Sequence, residues 1–506
     1  MRLSQSSTQF NRFIKPLTPL MLVMVLSGCA VTTEPIGMAE RSQGLAAERT
    51  ELMRNQEALT GPVTLDEAIA RALKYNLDYR VKVMEEALAS KQIDLARTDM
   101  LPRLTAAAGY TTRDNDFASS SRNIATGVQS LAPSTSTDRN RSTLDLGLTW
   151  NVLDFGFSYY QAKQQGDRFL AAQERRRKTV HIVMQQVRPA YWQAVGAQVL
   201  EGKISAVLAD ANKALADSRK IELEKLLSPL ETLNYQRQLL ELIRQLEAIN
   251  DELAQAKPRL ASLMNLEPGK PFSLAAPKQL NKPQFGIPME KMEETALLRR
   301  PDLMEARYNV RISVVETRKA LVKLFPGVEI SFGQHNDSNS YLVNNLWNDA
   351  GLRVTWNLMN VFNASAIRNT AEAQRELATQ QRLAMSMAVL TQTHVAYRDY
   401  TGRMRQYELS DEMDNVEQRL LAHARNATRT DAQGRLQEVR AAASALMSEL
   451  RRYQSYGALQ GSYGQVLATL GLDPLPDSID SHDLAAVRNA VTTMEARWAT
   501  ELAGKP

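Results

Sequence analysis

The sequence predicts a mainly helical chain with a small β part, built from two copies of one unit, each a pair of long helices attached to a strand hairpin. Three observations predict it. Long stretches keep helical periodicity without a turn cluster, and no proline falls between Gly327 and Asp473. Four short segments alternate apolar with small or polar residues at period two. The phrase Thr-Trp-Asn occurs at 149 to 151 and again at 355 to 357, an offset of 206 that other landmarks keep.

In chain order, the first segment is basic, free of acids and followed by LTPLMLVMVL at 17 to 26, an apolar core of secretory-signal length. It ends in Leu26-Ser27-Gly28-Cys29, which resembles a bacterial lipoprotein lipobox and implies cleavage after residue 28 with lipid on Cys29. Ala30 follows in place of Asp, which by the same resemblance favours the outer membrane. Cys29 is the one cysteine of the chain, so neither a disulfide framework nor a thiolate metal site is available. The net charge is +5, and Arg2, Arg12 and Lys15 lie in the removable segment, so +5 less these three leaves +2. So small an excess on a chain of 506 residues argues against a nucleic-acid partner. Beyond the first 30 residues no apolar run approaches the roughly 20 residues of a membrane helix.

Residues 29–61 read as an N-terminal extension and 62–268 as the first repeat. Within it LPRLTAAAGY (101 to 110) and STLDLGLTWNVL (142 to 153) read as strands, joined by a polar loop over 113 to 141. A long helix is expected from about 156 to 226, kinked at Pro189. Residues 269–288 form a proline-rich surface linker, 289–475 the second repeat and 476–506 a tail. The second repeat offers the strands FPGVEISFG (325 to 333) and AGLRVTWNLM (350 to 359), the loop 334 to 349 and a helix from about 363 to 432. A rod of about 70 residues is about 105 Å long at about 1.5 Å per residue, so it must lie against other rods. Breaks are expected at Pro229 and at Gly434.

Spacing carries the duplication. At offset 206, Ala190-Tyr191 answers Ala396-Tyr397 and Leu266-Glu267-Pro268 answers Leu472-Asp473-Pro474. Upstream the offset is 224, with Asp78 matching Asp302 and Pro102 matching Pro326, and the difference falls in the first loop.

Each strand has about the ten residues that a tilted strand needs to cross a membrane, yet membrane barrels close from about eight strands upward. Other copies must complete the barrel. A trimer gives twelve strands and a dimer eight, and the arithmetic allows both.

The segments TLDEAIARALKYNLD (64 to 78), LPRLTAAAGY, LTWNVLDFG (148 to 156), RRPDLMEAR (299 to 307), FPGVEISFG and VTWNLMN (354 to 360) together resemble the TolC-like outer membrane factors, over about residues 62 to 475. The lipobox resembles that of their lipoprotein members. The resemblance implies a homotrimer with a twelve-stranded barrel in the outer-membrane lipid and a periplasmic α-barrel. It also implies a passive exit duct for efflux or type I secretion, with a periplasmic adaptor (membrane fusion) protein and an inner-membrane RND or ABC transporter as partners. No cofactor, metal or enzymatic activity is implied. Gate positions carried over from the family fall on Glu231 and Asn234 in the first repeat and Gln437 and Arg440 in the second. Of these only Glu231 is acidic, and Arg440 replaces the family's usual Asp, so a Glu231–Arg440 pair is expected at the constriction. The adaptor-docking turns carry over to Leu226-Leu227-Ser228 and Gln433-Gly434-Arg435, which depart from the family's triplet.

The remaining features point to packing. The five histidines lack metal-ligand spacing, and Gly457, Gly461 and Gly464 suit close helix contact. No catalytic motif is present. Trp150, Phe155, Phe157, Tyr159 and Tyr160 read as an interfacial aromatic girdle at the foot of a strand. The rival reading is a lipid-anchored periplasmic coiled-coil scaffold without a pore.

Overall fold

The computed structural model describes residues 33–224, 228–277, 279–427, 432–476 and 483–503. They belong to two units, Met1–Gln56 and Glu57–Pro506. The described residues of the first hold one helix, α1 (Met38–Leu52), with no buried residue.

The second unit begins with a pair of helices held by caps. Thr64 accepts from the Glu67 N–H and starts α2 (Leu65–Tyr75). Asn76 turns extended, stops α2, and accepts from the Tyr79 N–H to start α3 (Leu77–Thr98). The later pair, α7 (Met289–Arg299) and α8 (Pro301–Val322), breaks at Arg300, which lies 224 residues after Asn76, and there proline at the first helical position starts the second helix.

Strands β1 (Arg103–Thr112), β4 (Asn140–Asn151), β5 (Gly327–Asp337) and β6 (Leu346–Thr355) form one antiparallel sheet in the order β1-β4-β5-β6. Their bounds differ from the expected ones by two to four residues at most ends. Each first strand starts after its proline, since Pro102 and Pro326 cannot donate to a ladder. The second hairpin runs on through the pair His335↔Trp347, so its loop is shorter than the expected 334 to 349. The first loop carries its own small hairpin, β2 (Ala118–Ser119) with β3 (Ser134–Thr135).

From β4 the chain enters α4 (Val152–Leu223), 72 residues and about 108 Å long. It returns through α5 (Pro229–Ala254) and α6 (Ala256–Leu263). The interruption at Gln255 was not expected, and Pro258 explains it, because a proline ring clashes with the carbonyl four residues back. From β6 the chain passes through one helical turn, α9 (Leu358–Phe362), into α10 (Ala364–Ala427). It returns in α11 (Ala432–Thr469), and α12 (Leu484–Leu502) follows. The break expected at Pro229 is where α5 begins. The one expected at Gly434 is displaced, because α11 already includes that residue; glycine is tolerated in a first turn and does not by itself end a helix.

Helix α4 is central, packing on α3, α5, α8 and α11, while α10 packs on α8 and α11. The largest core cluster lies midway along these rods: Val187, Tyr191 and Val195 of α4 meet Ile69, Leu260, Val389, Tyr456 and Leu470. Gly457 and Gly461 face Pro189, the former with the Pro189 carbonyl 3.7 Å from a would-be Cβ, so the glycines make room where proline interrupts the ladder of α4. The linker does not lie free on the surface as expected. Leu274 is buried, bridges to Val63, and exchanges two 2.9 Å hydrogen bonds with the Gln198 amide, while the Tyr191 hydroxyl donates to Ala275 O at 2.8 Å.

The helices that end each half stop alike. Asn265 (φ 53°) and Gly471 (φ 70°), 206 apart, are left-handed, and the next N–H reaches back five residues, Leu266 to Ala261 O at 2.8 Å and Leu472 to Leu467 O at 3.0 Å. Beyond Gly471, the Asp473 carboxylate accepts from Arg177 at 2.6 Å and from His181 at 3.0 Å. Burial alone would raise this carboxyl, but the hydrogen bonds and charges of His181 and Arg177 outweigh it and hold Asp473 below the ordinary aspartate value.

Gly471 has no room for a side chain: a Cβ would lie 2.6 Å from the Arg299 carbonyl carbon and 2.7 Å from Arg300 N. Gly471→Ala is expected to cost about 1–3 kcal/mol from backbone strain, with the clash added, and Asn265→Gly about nothing. Urea midpoints at fixed protein concentration check this; equal midpoints for the two variants would contradict it.

Candidate functional site

The doubled Thr-Trp-Asn phrase is a junction. In the first copy Asn151 is the last residue of β4, and its side chain accepts from Leu153 N (2.9 Å) and Asp154 N (3.2 Å), capping α4. In the second copy β6 ends at Thr355, so Trp356 and Asn357 lie beyond the strand. Asn357 accepts from Met359 N (3.1 Å) to cap α9. Asparagine serves here because its amide oxygen replaces the carbonyl that a starting helix lacks. The second junction is tied further by Trp356 Nε1 donating to Leu324 O at 3.1 Å. Of the expected aromatic girdle only Trp150 is in a strand. Phe155, Phe157, Tyr159 and Tyr160 belong to the first turns of α4, Phe155 because the Asn151 cap starts that helix about four residues earlier than expected. Phe157 lies under the ammonium groups of Lys319 and Lys323, 5.2 and 5.1 Å from the ring centre.

Above the junctions the sheet has two chemically distinct faces. Register places Leu104, Leu146, Leu148, Phe332, Leu352 and Val354 on one of them, and all are exposed. Every charged residue of the four long strands falls on the opposite face: Arg103, Arg141, Asp145, Glu329, Asp337, Asp349 and Arg353, with His335 among them. Arg141 pairs with Asp337 at 3.5 Å and Arg353 with Glu329 at 3.8 Å. The same face carries a glycine in the middle of each strand, Gly109, Gly147, Gly333 and Gly351, the smallest residue where side chains crowd. Strands β1 and β6 each have a single partner, so both edges of the sheet are open.

At the hairpin ends the two loops are clasped together. Buried Asn339 accepts from Asp138 N and donates to Ser136 O, both at 3.0 Å, and the Ser340 hydroxyl donates to Asp138 at 2.9 Å. Short polar side chains compete for backbone groups in this way, which a loop composition alone does not reveal.

At the opposite end of the rods stand the expected gate residues and those docking residues that are described. Glu231 and Asn234 lie in the first two turns of α5, and Gln437 and Arg440 lie on α11. Glu231, Gln437 and Arg440 are exposed. Within one chain Glu231 and Arg440 form no ion pair with each other. Ser228 precedes Pro229 as the cap residue of α5 without a capping side-chain hydrogen bond. Leu226 and Leu227 lie outside the described residues, as does Cys29. Gln433, Gly434 and Arg435 form part of the first turn of α11. Among the described residues no helix is long and apolar enough to cross a membrane, and no His, Cys, Asp or Glu group is arranged to hold a metal ion.

Neither a protein-family model nor a curated protein matches the sequence. Solved structures do. The outer-membrane channel OprN is similar with TM-score 0.60 at 19% identity, covering 80% of this chain and 89% of its own. A membrane protein from Pseudomonas aeruginosa gives TM-score 0.63 at 18% identity, covering 82% and 99%. The Campylobacter jejuni CmeC outer membrane channel gives TM-score 0.63 at 14% identity, covering 80% and 85%. The chain has the TolC-like fold. Within the TolC-like fold the Thr-Trp-Asn phrases mark where each sheet hairpin becomes a helical rod, and the charge-segregated sheet and the two rod turns are its opposite ends.

His335 was missed from sequence, where it read as a surface or packing residue. The signal was parity: it shares a face with Asp145 and Asp349 only once the register is fixed. Replacing the junction caps offers a direct check. Asn151→Ala is expected to cost about 1 kcal/mol and Asn357→Ala less, because Asn151 receives two N–H groups and Asn357 one; Asn151→Asp is expected to be near neutral. Denaturant midpoints that rank the two alanine variants the other way would contradict the junction.

Proposed function

We propose that this chain belongs to the TolC-like outer membrane factors and serves as the outer-membrane exit duct of a tripartite efflux system, passively conducting substrate outward. The observation that carries the reading is the sheet: one face without charge, one face with all of them, and two open edges. In hydrocarbon an open edge leaves backbone groups unpaired, at several kcal/mol each by order of magnitude, so the sheet must be closed by other copies. Three copies make a twelve-stranded barrel with the uncharged face to lipid and the charged face to water, and the rods continue below as a periplasmic tube. The similar structures, outer-membrane channels among them, support the same reading. A scaffold without a pore has no need for an uncharged sheet face.

The partners that follow are a periplasmic adaptor and an inner-membrane RND or ABC transporter, and type I secretion is the other use open to such a duct. The turns at Leu226-Leu227-Ser228 and Gln433-Gly434-Arg435 would dock the adaptor, and Cys29 would carry the lipid. We place the constriction at Glu231, Asn234, Gln437 and Arg440. Glu231 and Arg440, exposed and unpaired to each other in one chain, would meet across neighbouring chains.

Planar-bilayer recording tests the proposal. Wild-type protein is expected to give single-channel steps, and Leu146→Arg to abolish insertion, at a cost of about 2–4 kcal/mol near the bilayer midplane, while Thr143→Arg on the charged face still conducts. Absence of wild-type steps would refute the duct. Glu231→Ala and Arg440→Ala are expected to raise the conductance, and unchanged steps in both would remove the paired gate.

A further inference from the structure

The charged face of the sheet is nearly balanced, and one group on it can tip the balance. Its carboxylates are Asp145, Glu329, Asp337 and Asp349, and its arginines are Arg103, Arg141 and Arg353. Arginine stays protonated throughout the accessible range. With a neutral His335 the face therefore carries one excess negative charge per chain, and with an imidazolium it carries none. His335 is the one side chain of this face whose ordinary titration falls between about pH 5 and 8.

The imidazole is held rather than loose. Nδ1 lies 2.6 Å from Asp145 Oδ1 on β4, and Nε2 lies 3.2 Å from Asp349 Oδ1 on β6. The ring stacks on Trp347, centroids 5.2 Å apart and planes 22° apart. Gly333 leaves room for this arrangement, since a Cβ there would press on the side-chain ends of both Asp349 and His335. A neutral imidazole has one N–H, so it can serve one of these carboxylates and must turn a lone pair on the other; the imidazolium serves both. The remaining charges on the strands packed against it are engaged in the pairs Arg141–Asp337 and Arg353–Glu329. Among the described residues of these strands no other base bridges the two aspartates.

We propose that His335, clamped between Asp145 and Asp349, sets the ionic selectivity of the duct interior: a ring of three histidines leaves the lumen cation-preferring when neutral and close to indifferent when protonated. This rests on the proposed duct reading, in which the charged face lines the lumen.

The test is the reversal potential of purified protein in planar bilayers under a potassium chloride gradient, from about pH 8 to about pH 5.5, a span that brackets the ordinary imidazole range. For the wild type the potassium-to-chloride permeability ratio is expected to fall about twofold or more on acidification, as expected when fixed charge is removed from a pore wall. In His335→Gln and His335→Asn, which keep a polar planar side chain, the ratio is expected to stay at its alkaline value. Asp145→Asn is expected to lower the ratio already at alkaline pH while folding as the wild type does. If the glutamine and asparagine variants conduct and keep the wild-type pH dependence, or if wild-type selectivity does not change with pH, the assignment to His335 is overturned with the duct intact. Absence of any wild-type current overturns the duct and this assignment together.

Discussion

Unpaired backbone along β1 and β6 is the constraint on which the rest depends. Four strands present two rows of N–H and C=O groups without partners, and a bilayer offers none. Water could satisfy those rows, but it would then meet Leu104, Leu146, Leu352 and Val354 standing exposed on the uncharged face. Closure by further copies removes both difficulties at once. It also explains why the hairpins are joined through β4 and β5, leaving one outer strand from each half at an edge.

The proposed closure also sets the demands on the junctions. Each hairpin must hand its chain to a rod at a fixed height, and an asparagine cap does so by supplying the acceptor that a first helical turn lacks. At Asn151 the rod starts at once, whereas at Asn357 a single turn intervenes before α10. Rods of this length gain little from propensity alone. Their support comes from the core midway along, where Pro189 fits the Gly457–Gly461 stripe and the hydrogen bonds of Gln198 and Tyr191 to Leu274 and Ala275 tie the linker to α4. The left-handed stops at Asn265 and Gly471 close that belt at equivalent places.

Much of this was legible in the sequence because it depends on local chemistry and spacing. Unbroken periodicity gave the rods, alternation gave four strands, and the constant offset tied Trp150 to Trp356. What depends on pairing was not legible. Strand ends moved where pairing extended the second hairpin through His335 and Trp347, and the Asn339 clasp joins residues some 200 apart in sequence. The interruption at Pro258 could have been read, since proline forbids the ladder wherever it falls. The break expected at Gly434 is displaced for the opposite reason, as glycine permits a turn without imposing one. Glu231 and Arg440 belong to a third class: their partners would lie on another chain, beyond the reach of one sequence or one protomer.

The number of chains in the membrane-extracted assembly tests the closure most directly. Native mass spectrometry of the detergent-solubilised protein, each chain weighed separately after denaturation, counts them without reference to transport. Three chains, and so twelve strands, is the predicted result. A stable monomer that keeps its sheet in detergent would contradict it, and two chains would replace the twelve-stranded barrel with one of eight.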